Sequence, residues 1–298
     1  MSLRSLTASE FVKLEVPPRR YVIAPFLPER GLIEVYARTG VGKTTFAIAL
    51  ALAAASGKSF QNWSVKRPWR VLYIDGEMST NEMQERVKAT SKYFNLEPHE
   101  VTNLRLICRD REETGLPDIG NETGQEWFER DVEWSDVIFL DNISCLWWSG
   151  RENDADAWSV IQQWLLRLRA AGKSVVMLHH SGKNGSSRGS SRRHDVLDTV
   201  IKLERPFNYI QQEGAKFEVH FEKCRGFAGD EATPVGLAHN IENNISVWQS
   251  FSVGLEKAQE VASLIQLGLK QNEIGARLGI SQAEVSRRKG QAASAGLI

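Results

Sequence analysis

The run Ala37-Arg38-Thr39-Gly40-Val41-Gly42-Lys43-Thr44 has the residue types and spacing of a phosphate cradle. Glycines at 40 and 42 let successive backbone N–H groups approach a phosphate with no Cβ in the way. The helix that follows adds the partial positive charge of its N-terminus. Lys43 is placed to reach the β- and γ-phosphates, and the Thr44 hydroxyl to join the shell of a magnesium ion. The expected ATP contacts are therefore Thr39, Gly40, Val41, Gly42, Lys43, Thr44 and Thr45. Ala37 stands where this pattern normally opens with glycine, and it is tolerable there because the residue ends a strand and does not face the phosphate.

Hydrolysis needs carboxylates as well. One must hold magnesium, and another must orient the attacking water. The apolar run Val137-Ile138-Phe139-Leu140 delivers Asp141 at the tip of a strand, which makes it the second metal-site residue with Thr44. Asp75 and Glu77, in Tyr73-Ile74-Asp75-Gly76-Glu77-Met78, end the strand after the cradle's helix, and either can polarise water. His179-His180 closes a further apolar run and opens into Ser181 to Arg193, a Gly/Ser-rich stretch with Lys183, Arg188, Arg192 and Arg193 and no acid. A histidine pair at a sheet edge opening into a basic stretch suits a γ-phosphate sensor, with His180 the favoured member; strand alternation turns the two in opposite directions. The basic stretch suits nucleic-acid phosphates, or an ordering loop around ATP. Trp147 and Trp148 follow Asp141, either to stack bases or, as favoured here, to brace a loop.

The elements that must position these residues are legible as alternation. Short β-rich runs at Leu32 to Ala37, Val71 to Asp75, Leu104 to Cys108, Val137 to Asp141 and Ser174 to His179 alternate with helical patterns at Lys43 to Ala55, Ser79 to Phe94, Thr123 to Val132 and Asp154 to Ala171. That predicts an α/β fold with a mostly parallel sheet flanked by helices. Two later runs, Thr199 to Leu203 and Phe217 to Lys223, read as antiparallel additions. From about Ser250 the pattern is helical to the end, which divides the chain into an ATPase domain at 1–252 and a small all-α domain at 253–298. In the second, Gln271 to Leu278 and Ser281 to Lys289 flank a Gly279-Ile280 turn, with Ile274, Leu278, Ile280 and Val285 as its expected core. Gln282, Ser286 and Arg287 would then face outward.

Composition sets limits. In 298 residues, Lys+Arg and Asp+Glu both number 37, so no whole-molecule field gathers nucleic acid and any such binding must be local. Cys108, Cys145 and Cys224 are widely spaced without a C-x-x-C pair, which fits a reducing cytoplasm. No run has signal-peptide or membrane-spanning character, so a cytoplasmic protein without membrane partners is expected.

With these motifs in place, Tyr21 to Pro234 resembles the RecA-like hexameric helicases of the DnaB type and the plasmid RepA type. Glu77-Met78 and Arg86 are similar to the acid-Met and later arginine of the DnaB type, which implies that Glu77 is the catalytic base. His179-His180-Ser181-Gly182-Lys183 with Arg188-Gly189-Ser190-Ser191 resembles the RepA-type sensor strand and the motif after it. Phe221-Glu222-Lys223-Cys224-Arg225-Gly226 resembles the DnaB-type Lys-x-Arg-x-Gly segment, which implies that Lys223 and Arg225 reach a neighbouring subunit's γ-phosphate. The RepA type implies Arg188 for that role instead, and the two stay open. The C-terminal module resembles a bacterial helix-turn-helix, which implies that Gln282, Ser286 and Arg287 face a DNA major groove, with duplex DNA or a protein partner as its ligand. Together these imply a Mg-dependent ATPase, a hexameric ring acting as a helicase on single-stranded DNA in plasmid or mobile-element replication. The alternative is an ATP-dependent oligomerisation switch that serves as a regulator or adaptor.

Overall fold

The computed structural model describes residues 5–149, 155–182, 191–206 and 209–298. In chain order the elements are α1 (Ala8–Phe11), β1 (Tyr21–Ile23), β2 (Leu27–Pro28), β3 (Leu32–Ala37), α2 (Lys43–Ser56), β4 (Val71–Asp75), α3 (Thr80–Tyr93) and β5 (Leu104–Cys108). Next come α4 (Glu122–Trp127), α5 (Glu129–Trp134), β6 (Val137–Asp141), α6 (Ile143–Leu146), α7 (Ala155–Ala170), β7 (Ser174–His180) and β8 (Thr199–Glu204). The chain ends with β9 (Ala215–Cys224), β10 (Val235–Glu242), β11 (Ile245–Ser252), α8 (Val253–Gln266), α9 (Gln271–Leu278) and α10 (Gln282–Ser294).

Among the described residues, β3 to β11 form one sheet in the order β11-β10-β9-β8-β3-β7-β6-β4-β5. Pairings from β8 to β5 are parallel, and those from β8 out to β11 are antiparallel. Every residue of β3, β4 and β6 is buried, as continuous apolar runs require when helices cover both faces. Alternation divides β3 between the two cores. Ile33 and Val35 join the layer containing α2, while Leu32 and Tyr36 join the layer of Trp158, Ile161 and Leu165 on α7.

Helix α2 is apolar almost all round, and its alanines and leucines are buried along its whole length. The antiparallel strands pack on aromatic residues near its start and just past its end. Phe46 meets Phe217 of β9 at 5.9 Å, and Phe60 meets Trp248 of β11 at 5.1 Å. Both rings cross near the perpendicular, the favoured edge-to-face geometry.

Two sequence expectations are corrected, and two strands are added. First, β8 is parallel to β3, with Ile33 opposite Thr199 and Ala37 opposite Leu203, so only β9 of the expected pair is antiparallel. Alternating apolar residues fix strand type but not direction. The direction follows from the chain's return between Ser181, which donates its N–H to the Ala37 carbonyl, and Asp198, which donates to Leu32 at the other end of β3. Second, the helix expected at Thr123 to Val132 is two short helices, interrupted where the fully buried Phe128 inserts into the core. The added strands, β10 and β11, pair in register across an Asn243-Asn244 turn in which both residues have positive φ.

β11 runs directly into α8. Val261, Leu264, Ile274 and Val285 form a separate apolar cluster joined by Leu278 and Ile280, which includes the four residues expected from sequence, Ile274, Leu278, Ile280 and Val285. Gly275 proves necessary there, because a Cβ at this position would come 2.9 Å from the Ile280 carbonyl oxygen. Lys257 of α8 donates at 2.7 Å to Glu218 of β9, a direct polar link between these helices and the sheet. No helix among the described residues is long and apolar enough to cross a membrane.

Candidate active site

Strand register gathers the site at one end of the sheet. Asp75 and Asp141 are opposite each other in β4 and β6. β7 continues past its pairing with β6 at Met177, so that its last residue, His180, lies opposite Ala37. Ala37 is therefore the final strand residue, as expected. The turn after it places Gly40 at φ 77° and Gly42 at φ 122°, conformations that disfavour any side chain. At Gly42 a Cβ would also sit 3.0 Å from the Phe217 ring, so the antiparallel strands help set the shape of the cradle. Arg205, just beyond β8, donates to the Gly40 carbonyl at 2.8 Å, a contact that sequence reasoning missed.

Lys43 opens α2 and is buried, with Nζ 3.0 Å from Nδ1 of His180. Thr39 Oγ1 is 3.2 Å from the same nitrogen. The favoured histidine thus meets the cradle, whereas His179 is turned into the core with Nδ1 at the His180 carbonyl. Thr45 accepts a 2.8 Å hydrogen bond from Arg86, which ties α3 to the start of α2.

The acids divide by environment. Asp141 is buried and hydrogen-bonded by the Thr44 hydroxyl and by Tyr73, whose Oη donates at 2.6 Å while its ring stacks on Phe139. Burial raises the Asp141 pKa even against these two hydrogen bonds. Asp75 is equally buried, and its Oδ2 accepts from the Met78 N–H at 2.9 Å. Its Oδ1 has no hydrogen-bond partner among the described residues. Burial first, and then the neighbouring Asp141 charge, push the Asp75 pKa up to about 7. Glu77 instead has a half-exposed side chain, which accepts from Asn142 Nδ2 at 2.5 Å and lies 3.6 Å from His180 Nε2. Asn142, unmarked in the sequence beyond its place after Asp141, thus joins two of the predicted site residues.

Lys223 and Arg225 lie elsewhere. Val200 pairs with Lys223 and, on its other side, with Glu34, so Lys223 is level with the middle of β3. Cys224 is opposite Thr199, and Arg225 donates its N–H to Asp198. At roughly 3.3 Å per residue they sit about 10 and 17 Å below Ala37, away from the cradle of their own chain. Both side chains donate to carbonyls just before β8, Lys223 to His194 and Arg225 to Asp195 at 3.3 Å. Lys183 and Arg188 lie outside the described residues, and Arg192 and Arg193 fall within the 3-10 turn Ser191–Val196. Trp147 is buried and packs against Trp158 at 6.0 Å, in keeping with a bracing role, whereas Trp148 is exposed. In α10, Gln282, Ser286 and Arg287 are exposed, and Arg287 pairs with Glu284 at 2.9 Å.

Residues 2–186, more than half of the sequence, match the model of the AAA-domain family. The chain belongs to that family. Its fold is that of a RecA-like P-loop ATPase. A KaiC-like protein from Pyrococcus horikoshii superposes with a TM-score of 0.50 at 14% identity, over 76% of this chain and 93% of that one. FlaH, a flagellar accessory protein from Methanocaldococcus jannaschii, has a TM-score of 0.49 at 14% identity, with 74% and 90% covered. The RadB recombinase also reaches 0.49 at 14% identity, with 70% and 87% covered. No curated protein matches the sequence.

A P-loop ATPase binds a nucleotide, typically with Mg2+, and the residues present fit both. The Thr44 hydroxyl and the Asp141 carboxylate are already in contact, and such hard oxygen ligands suit magnesium. The positive-φ glycines leave the backbone open to phosphate. Magnesium would supply neutralisation of phosphate charge. Lys43 would add its own charge, and Glu77, unlike the buried Asp75 and Asp141, has a half-exposed side chain.

Proposed function

We propose that this ATPase forms a hexameric ring that acts as a helicase or translocase on single-stranded DNA, in replication of a plasmid or other mobile element. The observation that carries the reading is the position of Lys223 and Arg225, too far down the sheet to serve their own P-loop. Their charge becomes useful to hydrolysis when a neighbouring subunit presents its nucleotide to that edge. Within each site Glu77 accepts a proton from water, Lys43 holds the β- and γ-phosphates, Thr44 and Asp141 hold magnesium, and His180 senses the γ-phosphate. Arg188 is the alternative trans arginine. Lys183, Arg192 and Arg193 contact DNA phosphates in the central channel. The C-terminal helices act as a helix-turn-helix, with Gln282, Ser286 and Arg287 facing duplex DNA or a protein partner.

The deciding experiment is mass measurement with and without a non-hydrolysable ATP analogue and single-stranded DNA, paired with strand displacement on a forked duplex. Nucleotide-dependent hexamers, DNA-stimulated ATPase and displacement support the helicase. Assembly without DNA stimulation or displacement overturns it in favour of a second reading, an oligomerisation switch that works as a regulator or adaptor. That reading draws on the Lys257–Glu218 contact, which couples the C-terminal helices to the ATPase sheet.

A further inference from the structure

Asn142 occupies a position that no hydrolytic motif marks. It follows the Asp141 metal position, and its side chain is wholly buried. Its Oδ1 accepts the Cys145 N–H at 3.2 Å as the N-cap of α6, which fixes the orientation of the amide. Nδ2 therefore faces the site. It donates to Glu77 Oε2 at 2.5 Å and lies 3.2 Å from His180 Nε2.

The hydrogen bookkeeping around His180 is informative. An amide nitrogen only donates, so a hydrogen bond from Asn142 requires His180 Nε2 to accept and places the proton of a neutral ring on Nδ1. Nδ1–H then suits Thr39 Oγ1 at 3.2 Å. Lys43 Nζ, 3.0 Å from Nδ1, is itself a donor and asks for the opposite tautomer, with the proton on Nε2. In that tautomer Nε2–H opposes the Asn142 amide and turns to Glu77 Oε2, 3.6 Å away. The P-loop side and the Glu77 side of one imidazole thus favour different proton positions.

We propose that Asn142 is a positioning residue that couples the P-loop to the catalytic base: it holds Glu77 and His180 together so that the His180 tautomer, set by Lys43 and Thr39, governs how the Glu77 carboxylate is restrained. With Lys43 on Nδ1, the Asn142 amide serves Glu77 alone. With Lys43 drawn to phosphate, Nε2 accepts from Asn142, and the amide is shared between sensor and base. The inference rests on the assignment of Glu77 as base and His180 as sensor.

The test uses the full chain labelled with 15N-histidine and compares the His180 ring nitrogens without nucleotide and with a non-hydrolysable ATP analogue, in wild type and in Asn142→Asp. Aspartate preserves the N-cap but replaces the donor with an acceptor. The expected result is a wild-type shift from the Nε2–H towards the Nδ1–H form on binding, absent in Asn142→Asp although the analogue still binds within about twofold. ATP turnover should fall on the order of 10–100-fold with KM little changed, as for loss of a residue that orients a reacting group. Asn142→Ser, which also caps, serves as the folding control, and its thermal midpoint should stay near wild type. An unchanged tautomer on binding, or the same shift in Asn142→Asp, overturns the coupling. Wild-type protein that binds the analogue and never hydrolyses ATP would instead sink the ATPase reading, while the nitrogen shifts would still decide the relay.

Discussion

Lys43 and Lys223 serve different levels of one sheet: Lys43 follows the top of β3, while Lys223 pairs level with its middle and is held by the His194 carbonyl. A lysine so placed cannot meet phosphates that Lys43 would hold in the same chain. The separation yields a complementation experiment. Lys43→Ala and Arg225→Ala proteins should each be inactive, the first for want of a phosphate ligand and the second for want of a trans cation. A random equal mixture should regain activity at about a quarter of head-to-tail interfaces, where an intact P-loop faces an intact arginine. ATPase assays across mixing ratios check this, and a mixture as dead as its components counts against Arg225 in trans.

Glu77 and Asp75 are separable by substitution. Glu77→Gln keeps the shape and the Asn142 contact's position but removes the base, so turnover should fall roughly 10²–10⁴-fold with nucleotide affinity preserved. Equilibrium binding of a fluorescent ATP analogue beside steady-state ATPase reads both quantities. Weakened binding in step with the lost turnover would assign Glu77 to holding nucleotide instead.

His239 makes stability depend on pH. It is buried in β10, with Nε2 3.1 Å from Ser246 Oγ and its ring against Trp248 at 4.5 Å. Burial, reinforced by the charge of Arg86, lowers its pKa from 6.5 to about 4. The unfolded chain therefore binds more protons than the folded one between those values. Stability should be fully present above pH 6.5 and be lost as pH falls to about 4, by about 3 kcal/mol at 1.36 kcal/mol per pKa unit. Urea midpoints from pH 7 to 4.5 should fall in wild type and fall less in His239→Gln; parallel curves would remove His239 as the cause.

The link between α8 and the sheet is an ion pair between a buried Glu218 and a partly exposed Lys257. Burial favours the neutral form of Glu218, yet hydrogen bonds from His220 and Lys257 outweigh it and hold the carboxyl below its usual range. Lys257→Ala leaves that buried charge to His220 alone and should cost about 1–2 kcal/mol, less than a fully buried pair because Lys257 is itself partly exposed. Glu218→Gln with Lys257→Met should recover most of it. Limited proteolysis across 250–257 would show whether α8 loosens; equal stability of the single and double variants would mean the pair contributes little.

Much of the site was legible because phosphate chemistry leaves few choices. The Gly40 to Thr44 cradle, the strand-tip Asp141 and the His179-His180 pair follow from local pattern, which left Asp75 and Glu77 open; the family resemblance favoured Glu77. Asn142, Tyr73 and Arg205 were not legible. Asn142 reaches Glu77 across 65 positions and His180 across 38, and Arg205 reaches Gly40 across 165. Contacts of that range have no periodicity to mark them, and an asparagine after a strand reads equally well as an ordinary cap.

The sequence by itself determined where strands and helices lie in the core, because burial on two faces demands continuous apolar runs and backbone approach to phosphate demands glycine. Only tertiary structure decided that β8 runs parallel, since alternation is the same read in either direction. It also decided that His180 rather than His179 meets Lys43. That outcome depends on β7 outrunning β6 and ending opposite Ala37, a register set by neighbouring strands and not by the histidines themselves.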